Sequence, residues 1–408
     1  MSGLAGSDIP LVSQDAPAEI GFLRVNLPLR HQHSAAHGTE QIRDVILVSW
    51  KLSDGTVGWG ECPTLSSDGY VTESTERAWV GLTTQLGPAV LRSGLAAATS
   101  SAVSTSSAVS LGSAVSGGPA VSGGLIASAA ALADASLDAR LRSEGRSLLE
   151  ELLSLSSSPP TGERPIAKQA LSRCVVIADL GASPKKLAEL ASEAAEGGAA
   201  MVKIKIAPGH DVEGLLAVRA AIGDLPLAAD ANGSYAGLSE ILAVDALGLD
   251  FLEQPFPAGL PWEELARLRS SMRTPLALDE SLSSLGAVKS AVLAEAVDVV
   301  SVKPARLGGM RVAALAVETA ASAGLGVFVG GMLELGIGRA GAAAVAALPG
   351  CNLPTDLGPS QQYVETDICD PINVNPAGEL ILPTGPGNGR VPREEQLQQF
   401  CVDEVLLN

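Results

Sequence analysis

From about residue 170 onward, short apolar runs alternate with longer stretches of Ala, Leu and Glu at helical spacing. The runs are Cys174–Ala178, Val202–Ile206, Leu225–Asp230, Asp250–Glu253, Pro275–Asp279, Val297–Lys303, Gly326–Val329 and Cys351–Leu357. Runs this short, rich in Val, Ile and Leu, read as buried parallel strands. Their centres recur about every 25 residues, the length of one strand-plus-helix unit. Eight units over about 230 residues predict a (β/α)8 barrel. An open doubly wound sheet is the alternative, but it more often has about six strands and an early glycine-rich phosphate loop.

The first 90 residues have a different texture. Val45–Trp50 and Thr56–Cys62 read as strands joined through Ser53-Asp54-Gly55, a hairpin signal. A helical stretch follows from about Thr72 to Leu91. From Ala102 a Ser/Gly-rich repeat of period about six appears, too short to wind a β-helix, and residues 96–124 are expected to be a low-complexity insert without a packed core. Leu125–Leu153 returns to helical spacing.

Composition narrows the functional classes. Apolar residues are 46% and charged residues 18%, enough for a sizeable core, while aromatics at 3% leave that core to Ala, Val, Leu and Ile. A net charge of -18 repels phosphate backbones and anionic lipid, so neither a nucleic-acid nor a membrane partner is expected. No apolar run approaches the roughly 20 residues of a membrane span, and the N-terminus lacks the basic and apolar regions of a signal peptide. Five cysteines without a CxxC argue against a disulfide framework or zinc-thiolate site and for a reducing, cytoplasmic setting. His31, His33 and His37 share one polar segment, read as a loop because no fourth metal ligand is spaced beside them.

The barrel reading gives the charges meaning, because barrel chemistry sits at the C-terminal ends of strands. The second run carries Lys203 and Lys205, the third ends at Asp230, the fourth at Glu253, the fifth at Asp279 and the sixth at Lys303. The fold converges these six charges on one mouth. Three carboxylates on adjacent strands repel one another unless a cation neutralises them, and an all-oxygen set selects Mg2+, or Mn2+. Asn232, Glu280 and Ser281 lie within two residues of these carboxylates and are candidates to orient them or bind a ligand. Lys203 and Lys205 alternate along a strand and face the interior together, with Lys303 across the mouth. A hard metal flanked by opposed amines suits proton removal next to a carboxylate.

At this point the residues resemble the enolase superfamily, muconate-lactonizing subgroup. The matching elements are Lys203-Ile-Lys205, Asp230-Ala-Asn232, Glu253-Gln-Pro255, Asp279-Glu-Ser281, Lys303 in VKPARLGG, Gly330-Gly-Met-Leu-Glu334, Trp59-Gly-Glu-Cys62 and the late TGPGNG at Thr384–Gly389. Within the subgroup the likeness is to o-succinylbenzoate synthases and N-succinylamino acid racemases. The resemblance implies an N-terminal α+β capping domain (1–124), the barrel (125–357) and a C-terminal segment returning to the cap (358–408). It implies cap loops at about Leu29–Glu40 and Pro63–Thr72 over the mouth, with Tyr70 as a substrate contact beside Arg306, Gly331, Met332 and Glu334. It implies Lys205 as acid/base on one face, Lys303 opposite, Lys203 tuning Lys205, and Mg2+ on the carboxylates. Arg306 looks like the members with racemase activity. Leu335 stands where relatives commonly have Thr, and the repeat at 96–124 is not a family feature.

The expected partner is a small carboxylate substrate, with a homo-oligomer possible. The first functional expectation is Mg2+-dependent dehydration of a cyclohexadiene carboxylate to o-succinylbenzoate in menaquinone synthesis. The second is racemisation of N-succinylamino acids or epimerisation of dipeptides, and cycloisomerisation of muconate is third. A non-catalytic barrel, the competing class, predicts a broken lysine or carboxylate set, and here the set is intact.

Overall fold

The structure, a computed structural model, describes residues 16–35, 38–66, 73–99, 124–155 and 166–408, with the side chains of 31–40 outside that description. Tyr70 and the Ser/Gly repeat lie outside the described residues. The stretch Leu29–Glu40, expected to be a loop holding the HQHSAAH segment, is instead largely the far end of a hairpin: residues 31–35 finish one strand, and His33, Ser34 and Ala35 pair with Glu40, Thr39 and Gly38 of the next.

The cap is built on an antiparallel sheet of β1 (Glu19–Ala35), β2 (Gly38–Lys51), β3 (Val57–Cys62) and a last strand from the C-terminus, β13 (Cys401–Leu407), in the order β13-β1-β2-β3. The run Val45–Trp50 is apolar on both faces because both are covered. Ile46, Val48 and Trp50 enter one core with Phe22 and Trp79, while Val45 and Leu47 enter a second with Leu335 and Ile337 of the barrel. The hairpin signal is realised: β2 and β3 pair from Ile46↔Cys62 to Lys51↔Val57. The helix after the hairpin begins at Thr75 rather than Thr72, because the Ser74 side chain caps it by accepting from Arg77 N.

The helix Ile126–Ser143 joins cap to barrel and lies on β3. Ala127, Ala131, Ala135 and Ala139 recur every four residues and form its buried stripe. The approach is so close that a Cβ on Gly60 would sit 2.1 Å from the Ala131 carbonyl oxygen, and one on Gly58 2.0 Å from Ala139 N. Small residues on both sides thus build a tight joint in a chain with few aromatics. One expectation needs correcting. The described part of the range 96–124 is not free of packing: residues 96–99 continue a helix, and Ala98 is buried in the cap core. Ala98 lies three residues after the buried Leu95, so the apolar helical spacing runs into the range read as insert.

In the barrel, β4 (Ala170–Leu171) and β12 (Leu380–Ile381) form a small antiparallel pair beside the main sheet. The parallel strands are β5 (Cys174–Ile177), β6 (Met201–Lys205), β7 (Leu227–Asp230), β8 (Leu252–Glu253), β9 (Leu276–Leu278), β10 (Val299–Val302) and β11 (Gly326–Val329), neighbours in that order. The eighth run, Cys351–Leu357, is irregular rather than a strand, yet it closes the ring. Leu353 N donates to Val327 O at 3.1 Å on one side, and Cys174 N donates to Thr355 O at 2.8 Å on the other. Pro354 supplies no N–H there, which breaks a regular ladder.

The interior floor takes one residue from each strand: Cys174, Met201, Ala228, Phe251, Ala277, Val299 and Phe328, with Leu353 packed against them. All five cysteines are unpaired. Among the described residues no helix is long and apolar enough to cross a membrane.

Candidate active site

The strand-borne lysines and carboxylates stand one or two pleats above that floor. Because side chains alternate along a strand, the residue two beyond a floor residue points to the same interior. Met201 is followed by Lys203 and Lys205, Ala228 by Asp230, Phe251 by Glu253, Ala277 by Asp279, and Val299 by Ser301 and Lys303. The alternation that fills the barrel therefore also builds the mouth. Phe328 is followed by Gly330, where a Cβ would lie 2.7 Å from Lys303 Cε, so the absence of a side chain there makes room for the lysine.

The charges pair in three groups. The Lys203 ammonium donates to Glu253 Oε2 and, at 2.6 Å, to Asp356 Oδ2, and lies 4.8 Å above the Phe328 ring. Lys205 donates to Asp230 Oδ2 at 3.1 Å and to Asn232 Oδ1. Lys303 donates to Asp279 Oδ2 at 3.0 Å, and Arg306 Nη2 donates to Asp279 Oδ1 and O, both at 2.6 Å. Lys205 and Lys303 come from the second and sixth of eight units, half-way round the ring from each other.

The electrostatics differ between the amines. Burial works to lower the Lys203 ammonium, but Asp356 and Glu253 overcome it and leave it raised well above the lysine range. Burial also opposes charge on Lys205, and Asp230 outweighs it in the same upward direction. Lys303 goes the other way: burial, then the Arg306 guanidinium, bring it down to about 7.

The crowding of the carboxylates suits them to a cation. Burial raises the Glu253 carboxyl well above its ordinary value. Lys203 opposes that rise, while the charges of Asp230, Asp279 and Asp356 add to it. This crowding is what a divalent cation relieves, and an all-carboxylate donor set at three adjacent strand ends fits a hard one. The carboxylates are turned toward their lysine and arginine partners, and among the described residues no three ligand groups converge on one point.

The neighbouring candidates divide by what they touch. Asn232 bridges Lys205 to Glu280, donating from Nδ2 to Glu280 Oε1 at 2.8 Å. Ser281 Oγ accepts from Gln254 Nε2 at 2.8 Å, and Gln254 Oε1 accepts from Asp279 N and Ser281 N. Asn232 and Gln254, with φ of 43 and 40, hold left-handed backbone just past two of the carboxylates, strain that concentrates at functional mouths. Gly331 is half-buried after β11. Met332, expected at the substrate, instead buries its side chain in the cap core with Ala305. Glu334 accepts from Met332 N at 2.9 Å and pairs with Arg339 at 3.8 Å, so its carboxylate holds its own loop.

Sequence reasoning missed Asp356 and Gln254. Asp356 carries a usable signal, an acidic residue near the end of the eighth apolar run, two units beyond the last strand-end lysine. Gln254 sits inside a quoted motif and shows its role only through its hydrogen bonds.

A closed ring of eight units, a cap sheet built from N- and C-terminal strands and lysines facing strand-end carboxylates define an enzyme class rather than a generic barrel. Residues 186–396 match the enolase C-terminal domain-like family. The chain is 34% identical over 390 residues to an N-succinylamino acid racemase of an Amycolatopsis species, covering 94% of this chain and 97% of that one. It is 28% identical over 380 residues to an o-succinylbenzoate synthase of Geobacillus stearothermophilus, covering 92% and 93%. A solved structure of a probable mandelate racemase from Alicyclobacillus acidocaldarius superposes with a TM-score of 0.78 at 32% identity, covering 95% and 98%. The chain belongs to the enolase superfamily.

Proposed function

We propose that the protein moves a proton on and off the carbon next to a substrate carboxylate, with Lys205 and Lys303 as the two proton carriers, and that its reaction is the racemisation of N-succinylamino acids. The observation that carries this reading is the pair of amines half-way round the ring from each other, each seated on its own strand-end carboxylate. A substrate lying between them presents one face to each. In one direction a neutral Lys303 takes the α-proton, the C–H electron pair spreads into the carboxylate as an enediolate, and the Lys205 ammonium returns a proton to the opposite face. The roles reverse for the other enantiomer. Asp230, Glu253 and Asp279 would hold Mg2+ or Mn2+, which supplies positive charge beside the substrate carboxylate when bound. The relative of similar length named N-succinylamino acid racemase supports the substrate class.

The second reading is dehydration to o-succinylbenzoate, favoured by a relative of that name covering nearly the whole chain. There Lys205 serves as base and acid on one face, and Lys303 stabilises the intermediate by charge alone. The test is purified protein with Mg2+, offered N-succinylphenylalanine enantiomers and, separately, the succinyl-hydroxycyclohexadiene carboxylate. Interconversion of enantiomers supports the first reading. Turnover of the cyclohexadiene alone supports the second and contradicts the first.

A further inference from the structure

The loop after β11 is gripped from the cap. Arg43, on β2, is 1% exposed. Its guanidinium donates to Leu333 O at 2.8 Å and Met332 O at 3.3 Å in that loop. It also donates to Thr64 O at 2.7 Å, two residues past the end of β3. Glu61, paired across from Leu47 on β3, takes the other end: its two oxygens accept from Leu335 N at 2.6 Å and Gly338 N at 2.7 Å. Leu333 has φ 57, a left-handed conformation that a leucine keeps only under outside constraint. The same loop begins at Gly330, against the Lys303 side chain. One planar fork therefore joins the segment after β3 to the loop after β11, and a carboxylate from the next strand completes the grip.

We propose that Arg43 and Glu61 are positioning residues for Lys303: the cap clasps the loop Gly330–Gly338 and so fixes the wall against which that lysine stands. The proposal rests on the reading of Lys303 as a proton carrier. A guanidinium spreads its donors over a rigid plane and spans carbonyls that lie apart, whereas an ammonium offers its three donors from one atom, so Arg43→Lys keeps the charge and loses the fork. Lys205, half-way round the ring and held by Asp230 and Asn232, makes none of these contacts.

The experiment has two readouts on Arg43→Lys, with Glu61→Gln as the second variant should the first fail to fold. Amide hydrogen exchange, followed by mass spectrometry, is expected to speed at least tenfold in 330–338 and to stay unchanged in the helix Pro184–Glu196. Unchanged exchange in 330–338 overturns the clasp whatever the enzyme catalyses. Solvent deuterium incorporation into D- and L-N-succinylphenylalanine, measured separately, is expected to fall at least tenfold for the enantiomer whose proton Lys303 removes and to stay within about threefold for the other. Equal loss from both enantiomers, with a loosened loop, means a merely structural role and overturns the positioning claim. Wild-type protein that exchanges neither enantiomer overturns the functional reading and the Lys303 assignment with it, leaving the clasp to be judged by amide exchange.

Discussion

The Lys203 ammonium donates to Asp356 Oδ2 at 2.6 Å, tying the second barrel strand to the irregular segment that closes the ring. Glu253 takes the same ammonium from the other side, so this buried cation is held by two carboxylates. Removing one leaves the ammonium underpaired in a dry site. Asp356→Asn, which keeps an acceptor and loses the charge, is expected to cost about 1–3 kcal/mol of stability. Urea unfolding measures it, and an unchanged midpoint at unchanged slope contradicts the pairing.

The joint between cap and barrel sets a packing test. A methyl on Gly60 meets the Ala131 carbonyl oxygen at 2.1 Å, and neither element has room to withdraw. Gly60→Ala is expected to destabilise by at least about 2 kcal/mol. Gly286→Ala is the control: it is an exposed helical position where the new Cβ has only Ser284 Oγ near it, at 3.6 Å. That substitution should be neutral or stabilising by up to about 1 kcal/mol. Equal effects of the two would mean that β3 and the linking helix are not in close contact.

Acidity at the same joint gives a pH prediction. Asp134 accepts from Met310 N at 2.9 Å, and burial, aided by nearby Asp138, pushes its carboxyl up to about 7. A carboxyl raised on folding binds a proton in the native state that the unfolded chain has already released. Its contribution to stability therefore falls as pH rises from about 4 to about 7 and is level above that. Asp134→Asn keeps the acceptor and removes the titration. The variant should gain in melting temperature relative to wild type as pH goes from 4.5 to 7.5. Parallel curves across that range would contradict the assignment.

Much of this was legible in the sequence because one periodicity does two jobs. The period of two that marks Met201, Lys203 and Lys205 as interior also stacks charges above the floor residues of five successive strands, so one pattern marks both strand runs and site residues. The eight-unit count held, although Pro354 left the last unit without a regular strand. What stayed hidden depends on contacts between distant segments. Arg43 and Glu61 stand in ordinary alternating cap strands, and only the docked barrel shows that they reach Leu333, Leu335 and Gly338. The burial of Met332 is hidden for the same reason: a position next to the mouth turns its side chain into a core that the cap completes. The role of Ala98 was lost because a helix of alanines blends into a low-complexity repeat.

The crowded carboxylates predict a metal requirement. Chelation followed by dialysis should abolish turnover, and Mg2+ or Mn2+ should restore it. Mg2+ at about a hundred times its dissociation constant should also stabilise the fold by about 2.7 kcal/mol, and Glu253→Gln should remove most of that gain. Full activity in excess chelator would contradict the ligand assignment.

The central claim is that two opposed lysines address the two faces of one carbon. It is tested most directly by solvent deuterium exchange in Lys303→Ala, with each enantiomer of N-succinylphenylalanine followed separately. With Lys205 intact on one side and the other amine gone, exchange from one enantiomer should persist slowly while exchange from the other, and all racemisation, stop. Undiminished exchange from both enantiomers would show that Lys303 does not face the substrate, and the two-lysine account would be wrong.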